Sequence, residues 1–153
     1  LEPGLVRFCV IMPRVERQLL LVDDQPAQLA GLQDRLTPLL PAARLHTAGG
    51  VAQALQILAD SAVDLILSDV RMPDSDGFAL LDAVRSNSRL EQIPLILLSA
   101  VASDEEAQAL RLRAMRAGAD DFFPKPLTDQ ALQQVLTYIP DALPVASPVA
   151  ERT

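Results

Sequence analysis

Short unbroken apolar runs alternate along this chain with longer stretches in which apolar positions recur every three or four residues. The clearest runs are Leu19-Leu20-Leu21-Val22, Leu65-Ile66-Leu67 and Leu95-Ile96-Leu97-Leu98. They are too short to be helices and carry no polar alternation, so they read as strands covered on both faces. The pattern predicts strands over about 18–23, 64–68 and 93–98, a weaker one over about 43–47, and a short one over about 120–123. Helices fill the intervals. The first starts at Pro26, repeats Leu29, Leu32 and Leu36 on one face, and stops at Pro38 and Pro41. A second follows Gly49-Gly50 with Val51, Ala54, Leu55 and Leu58 on one face, and a third starts near Gly77 with Phe78, Leu81 and Val84. The fourth has Ser103 and Glu106 in capping-box spacing and Gly118 beyond its last turn. The fifth runs from about Thr128 to Ile139. Strand–helix alternation of this kind predicts an α/β fold built on a parallel sheet.

At 153 residues the chain is one domain by length, with a folded part expected over 18–139. Residues 1–17 read as a poorly ordered extension, with Met12 a natural start. Residues 140–153, rich in Pro and Ala, read as a linker toward an output domain outside this sequence. Half the residues are apolar but only 3% are aromatic, so Leu, Val, Ile and Ala must build the core. A net charge of -7 argues against direct nucleic-acid binding, which needs a basic face. A lone cysteine, Cys9, excludes an internal disulfide and suits a reducing compartment. No apolar run is long enough to span a membrane and no signal-peptide pattern is evident, so a cytoplasmic location is expected.

The chemistry lies at the strand ends. The first strand ends in Asp23-Asp24, the third in Asp69, the fourth in Ser99, and Lys125-Pro126 follows the fifth. In an open parallel sheet, ligands bind beyond the carboxyl ends of the strands, so these residues can converge although far apart in sequence. Three carboxylates in one pocket resist joint ionisation, a conflict that a hard divalent cation resolves. Taken singly, each has a plainer reading: Asp23-Asp24 as exposed loop acids or a cap, Ser99 as a hydroxyl bonded to backbone, Lys125 as a solvated lysine. Their joint occurrence at four strand ends favours a site. His46, the only histidine, falls on a predicted edge strand away from this cluster and has no partner for a zinc site. Asp74 and Asp76 read as turn acids or a helix cap.

On Leu21-Val22-Asp23-Asp24, the segment Ser68 to Gly77, Leu98-Ser99-Ala100 and the segment Gly118 to Pro126, the chain resembles the receiver domain of two-component response regulators. The resemblance spans about 18–139 and implies a doubly wound, flavodoxin-like sheet in strand order 2-1-3-4-5. It implies that Asp69 is the phospho-acceptor for a phosphohistidine on a sensor histidine kinase or histidine phosphotransfer protein. It also implies that Mg²⁺ is bound directly by Asp24, Asp69 and the backbone carbonyl of Arg71, with Asp23 acting mainly through water. Lys125 would face the phosphoryl oxygens, with the Lys125-Pro126 bond a candidate for the cis form. Ser99 would bond the phosphoryl group in the active state, while Phe122, the switch aromatic, turns from exposed to buried.

Two features depart from the family pattern. The interval from Ser99 to Phe122 is about four residues longer than usual, close to one helical turn. Arg71 and Val101, each two residues past a site residue, lie near the path of an attacking water and should tune phosphoryl lifetime. Homodimerisation through the last two helices is a further possibility. Two other readings compete with the phospho-accepting one. A receiver-like docking or dimerisation module that works without phosphate would need no acceptor residues, yet all are present. A haloacid-dehalogenase-type phosphatase wants Asp-x-Asp on its first strand, whereas here the two acids are adjacent.

Overall fold

The computed structural model describes residues 16–73 and 75–139. The expectations for the N-terminal extension up to residue 15, for Cys9, for Asp74 and for the tail from 140 onward lie outside the described residues. Five strands, β1 (Gln18–Val22), β2 (Arg44–Ala48), β3 (Leu65–Asp69), β4 (Leu95–Ala100) and β5 (Asp121–Lys125), form one sheet in the order β2-β1-β3-β4-β5. All four pairings are parallel. Five helices alternate with them: α1 (Pro26–Leu36), α2 (Val51–Asp60), α3 (Gly77–Arg85), α4 (Asp104–Ala117) and α5 (Asp129–Leu136). This is the expected doubly wound topology.

The alternation of strand side chains divides the core into two layers. Leu20, Val22, Ile66, Leu95, Leu97 and Phe122 pack with Ala54 and Leu58 of α2, Leu80, Leu81 and Val84 of α3, and Ala114 of α4. Leu19, Leu21, Leu65, Leu67, Ile96 and Leu98 face the other way, against Leu36 of α1 and Leu132, Val135 and Leu136 of α5. Burial on both faces explains why these strands carry no polar alternation.

Helix ends follow the sequence signals with one variation. Asp76 caps α3 by accepting from Ala79 N at 3.0 Å, and Thr128 caps α5 from Ala131 N at 3.0 Å. Ser103 caps α4 by accepting from Glu106 N at 3.1 Å, but Glu106 Oε1 accepts from Ala102 N at 2.7 Å instead of reaching the amide of Ser103. Gly118 ends α4 at φ 105°, the left-handed region that favours glycine.

Most strands run one or two residues further than their apolar runs suggest. The ladder continues through Asp69↔Leu98, Ser99↔Pro124 and Ala100↔Lys125, so the polar residues lie within paired strands. At the opposite end, Arg85 fastens the start of β4 and β5 to α3. It donates to the carbonyls of Gly118, Glu91 and Ile93 at 2.9, 3.1 and 2.8 Å and to Asp120 Oδ2 at 2.8 Å.

Candidate functional site

Each site residue is placed by the strand it ends. Asp23 and Asp24 follow β1, Asp69 closes β3, Ser99 lies next to last on β4, and Lys125 closes β5. Adjacency of β1 and β3 brings the three aspartates together, with one carboxylate oxygen from each within 4.8 Å of the others. Asp23 and Asp69 are buried and Asp24 is half-buried. Lys125 reaches back across the sheet end to donate to Asp23 Oδ2 at 2.8 Å and to pair with Asp69 Oδ1 at 3.3 Å. Asp23 Oδ1 accepts from Gln25 N at 3.0 Å, which fixes that carboxylate. The Lys125-Pro126 peptide bond is cis.

Burial raises the Asp69 carboxyl above its ordinary value; the Lys125 ammonium opposes the rise and the neighbouring Asp23 carboxylate adds to it. A cation placed here would relieve both the burial and the repulsion. The donors are all carboxylate oxygens, the set that a hard cation prefers. One oxygen from each carboxylate lies within 4.8 Å of the others, so a single cation could be shared among them. The residues therefore fit Mg²⁺.

Close packing holds the acceptor strand end in place. A Cβ added to Gly77, the first residue of α3, would lie 2.5 Å from the Asp69 carbonyl oxygen, 3.0 Å from Leu97 Cδ2 and 3.1 Å from Val70 Cα. Only glycine lets the start of α3 approach this closely, and Gly77 N donates to Val70 O at 2.8 Å across the loop.

Ser99 is fully buried, and its hydroxyl donates to Ala100 O at 3.0 Å while accepting from Arg71 Nη1 at 3.0 Å. Phe122 is 0% exposed and packs in the layer with Ala114 and Leu97, the buried member of the exposed and buried settings that the resemblance implies. Strand alternation puts position 122 on that face, and the Arg111 guanidinium stands 5.8 Å from the ring centroid. His46 is on the edge strand β2, where Nε2 bonds Gln18 Oε1 at 2.8 Å, well away from the cluster in the sheet order.

Sequence reasoning placed Arg71 near the path of an attacking water but missed the bonds its side chain makes. The side chain bridges the loops after β3 and β4, donating to Ala100 O at 2.7 Å and to Glu106 Oε2 at 2.6 Å in addition to Ser99. No local pattern pairs an arginine with a glutamate 35 positions on, and only the fold brings them together. The bonds from Ala102 N and then from Arg71 hold the Glu106 carboxyl below its ordinary value.

A five-stranded doubly wound sheet with a carboxylate–lysine cluster at its carboxyl edge defines a class of acidic, metal-fitted α/β domains. Comparison with known proteins identifies the family. The model of the response regulator receiver domain matches residues 19–137, and the chain belongs to that family. It is 33% identical over 131 residues to the two-component response regulator ORR1 of Oryza sativa subsp. japonica, covering 80% of this chain and 55% of that protein. It is 32% identical to a probable chemotaxis protein CheY of Rhizobium etli, covering 82% of this chain and 94% of the relative. Among solved structures, the signal receiver domain of a signal transduction histidine kinase from Syntrophus aciditrophicus matches with TM-score 0.68 and 29% identity. That match covers 90% of this chain and 94% of the other. The chain thus spans about half the length of the rice relative. It is a receiver domain of two-component signalling. Among the described residues no helix is long and apolar enough to cross a membrane.

Proposed function

We propose that Asp69 accepts a phosphoryl group from a phosphohistidine on a sensor histidine kinase or histidine phosphotransfer protein. A carboxylate oxygen of Asp69 attacks phosphorus in line, the P–N bond to the imidazole breaks with its electron pair returning to nitrogen, and an aspartyl phosphate forms. Asp24, Asp69 and the Arg71 carbonyl would hold Mg²⁺, with Asp23 contributing through water. The bound cation supplies charge neutralisation for the transferred group. The observation that carries this reading is the cluster itself: three carboxylates with oxygens within 4.8 Å, and one lysine pairing with both buried members.

Catalysis in such a site is mainly positioning and electrostatics. Lys125 already lies against Asp69 and can follow the new oxygens with its ammonium. The Ser99 hydroxyl supplies a donor that can turn from Ala100 O to the phosphoryl group. Phe122, buried beside α4, holds the inward position that a bonded Ser99 would favour. The altered surface is then read by an output domain in the same polypeptide or by a separate partner.

The test is intact mass after incubation with a small phosphodonor, with metal-free and Asp69→Asn controls. One phosphoryl adduct that needs both Mg²⁺ and Asp69 is the expected result. No adduct and no binding of beryllofluoride by folded protein would overturn the proposal.

A further inference from the structure

We infer that the Arg71 side chain is a latch that holds Ser99 and Ala100 to the first turn of α4 and so opposes movement of Ser99 toward a phosphoryl group on Asp69. The inference rests on the phospho-acceptor reading above. A serine hydroxyl has one proton and two lone pairs. In this structure the proton goes to Ala100 O and a lone pair accepts from Arg71 Nη1. The same Nη1 also donates to Ala100 O at 2.7 Å, so one guanidinium nitrogen grips both residues at the end of β4. To donate to a group on Asp69, Ser99 must turn its proton away from Ala100 O, and a shift of Ser99–Ala100 strains both Arg71 bonds.

The other end of the latch sets what it controls. Arg71 Nη2 donates to Glu106 Oε2, while Glu106 Oε1 holds Ala102 N and the Glu106 amide is capped by Ser103 Oγ. Ser99, Ala100, Ala102, Ser103 and Glu106 are therefore tied directly or at one remove to Arg71. Opening the latch frees the β4–α4 loop and the amino end of α4 together. Arg71 acts through Ser99 and Glu106 and is a positioning residue. Its side chain is 56% exposed, so removing it leaves no cavity in the core.

The test compares beryllofluoride binding in the presence of Mg²⁺ for the wild-type protein, Arg71→Ala, Glu106→Gln and the double variant. Amide chemical shifts of residues 99–106 are recorded for each without metal or beryllofluoride. Glu106→Gln keeps an acceptor for Ala102 N but removes the charge that holds Arg71. An exposed pair of this kind is expected to change affinity about two- to fivefold. Both single variants should bind about that much more tightly, the double variant no more tightly than either, and their unliganded amides should move toward the wild-type liganded positions. Unchanged affinity in either single variant would overturn the latch. So would weaker binding by Arg71→Ala, which would make the guanidinium a phosphoryl ligand instead. Failure of the wild-type protein itself to bind would overturn the phospho-acceptor reading, and the latch with it.

Discussion

The start of α3 touches the acceptor strand at one point, and that point is testable. Replacing Gly77 by alanine puts a methyl carbon 2.5 Å from the Asp69 carbonyl oxygen and 3.1 Å from Val70 Cα. Ordinary contact begins near 3.4 Å, so the backbone overlap approaches a full ångström and no flexible side chain can absorb it. Overpacking a filled site costs about 1–3 kcal/mol, and here the obstruction is backbone, which points to the upper half of that range. Relief requires either α3 or the end of β3 to move, and the second displaces Asp69 from Asp23 and Lys125. Gly31 is the matched control. It lies inside α1 with nothing within 4 Å of an added Cβ, so Gly31→Ala should stabilise by about 0.5–1 kcal/mol through helix propensity. Urea denaturation followed by circular dichroism, with phosphodonor uptake on the same samples, reads both effects. Gly77→Ala should lose stability and uptake together, while Gly31→Ala gains stability and keeps uptake. A Gly77→Ala protein with wild-type stability and wild-type uptake would refute the claim that this contact positions the acceptor.

Other consequences follow from the same structure. Burial raises the Asp69 carboxyl above 3.8, so the folded state binds that proton more tightly than the unfolded chain does. Stability then falls as pH rises from the unfolded value through the folded one, and the penalty is fully present above the folded value. Asp69→Asn should therefore gain stability over the metal-free wild type increasingly across that window, seen as diverging urea midpoints; parallel midpoints would sink the idea. Lys125→Met removes the cation shared by Asp23 and Asp69. Its metal-free form should melt lower than the wild type, and Mg²⁺ should recover more of the melting temperature than it does in the wild type. Arg85→Met should cost about 2–3 kcal/mol in denaturation, since it leaves three carbonyls and Asp120 to find other partners. Arg85 lies at the far end of the sheet, so phosphodonor uptake below the unfolding transition should persist.

Apolar runs and helical periodicity carried the order of elements and the α/β class, because strands buried on both faces leave a clear signature and Gly118 and Ser103 mark helix limits by their own chemistry. The strand order came with the receiver resemblance. Strand ends were less legible. Asp69, Ser99 and Lys125 are polar, yet the parallel ladder extends through them because backbone pairing does not depend on side-chain polarity. The site's membership could be read from residue types at strand ends, and the fold delivered Asp23, Asp24 and Asp69 to one cluster. The inward setting of Phe122 was not legible, since adjacent phenylalanines at 122 and 123 leave open which face each takes until the register is known. The bonds of Arg71 and Arg85 were invisible for a simpler reason. A long side chain chooses its partners from whatever the fold brings near, over separations that no local pattern records.

The most direct test of the central claim locates the phosphoryl group. The protein is phosphorylated from a small donor with Mg²⁺, the acyl phosphate is reduced with borohydride, and the peptides are sequenced by mass spectrometry. Conversion of Asp69 to homoserine, lost in Asp69→Asn and without Mg²⁺, is the expected result. Reduction at Asp23 or Asp24, or a stable ester on Ser99, would contradict Asp69 as the acceptor.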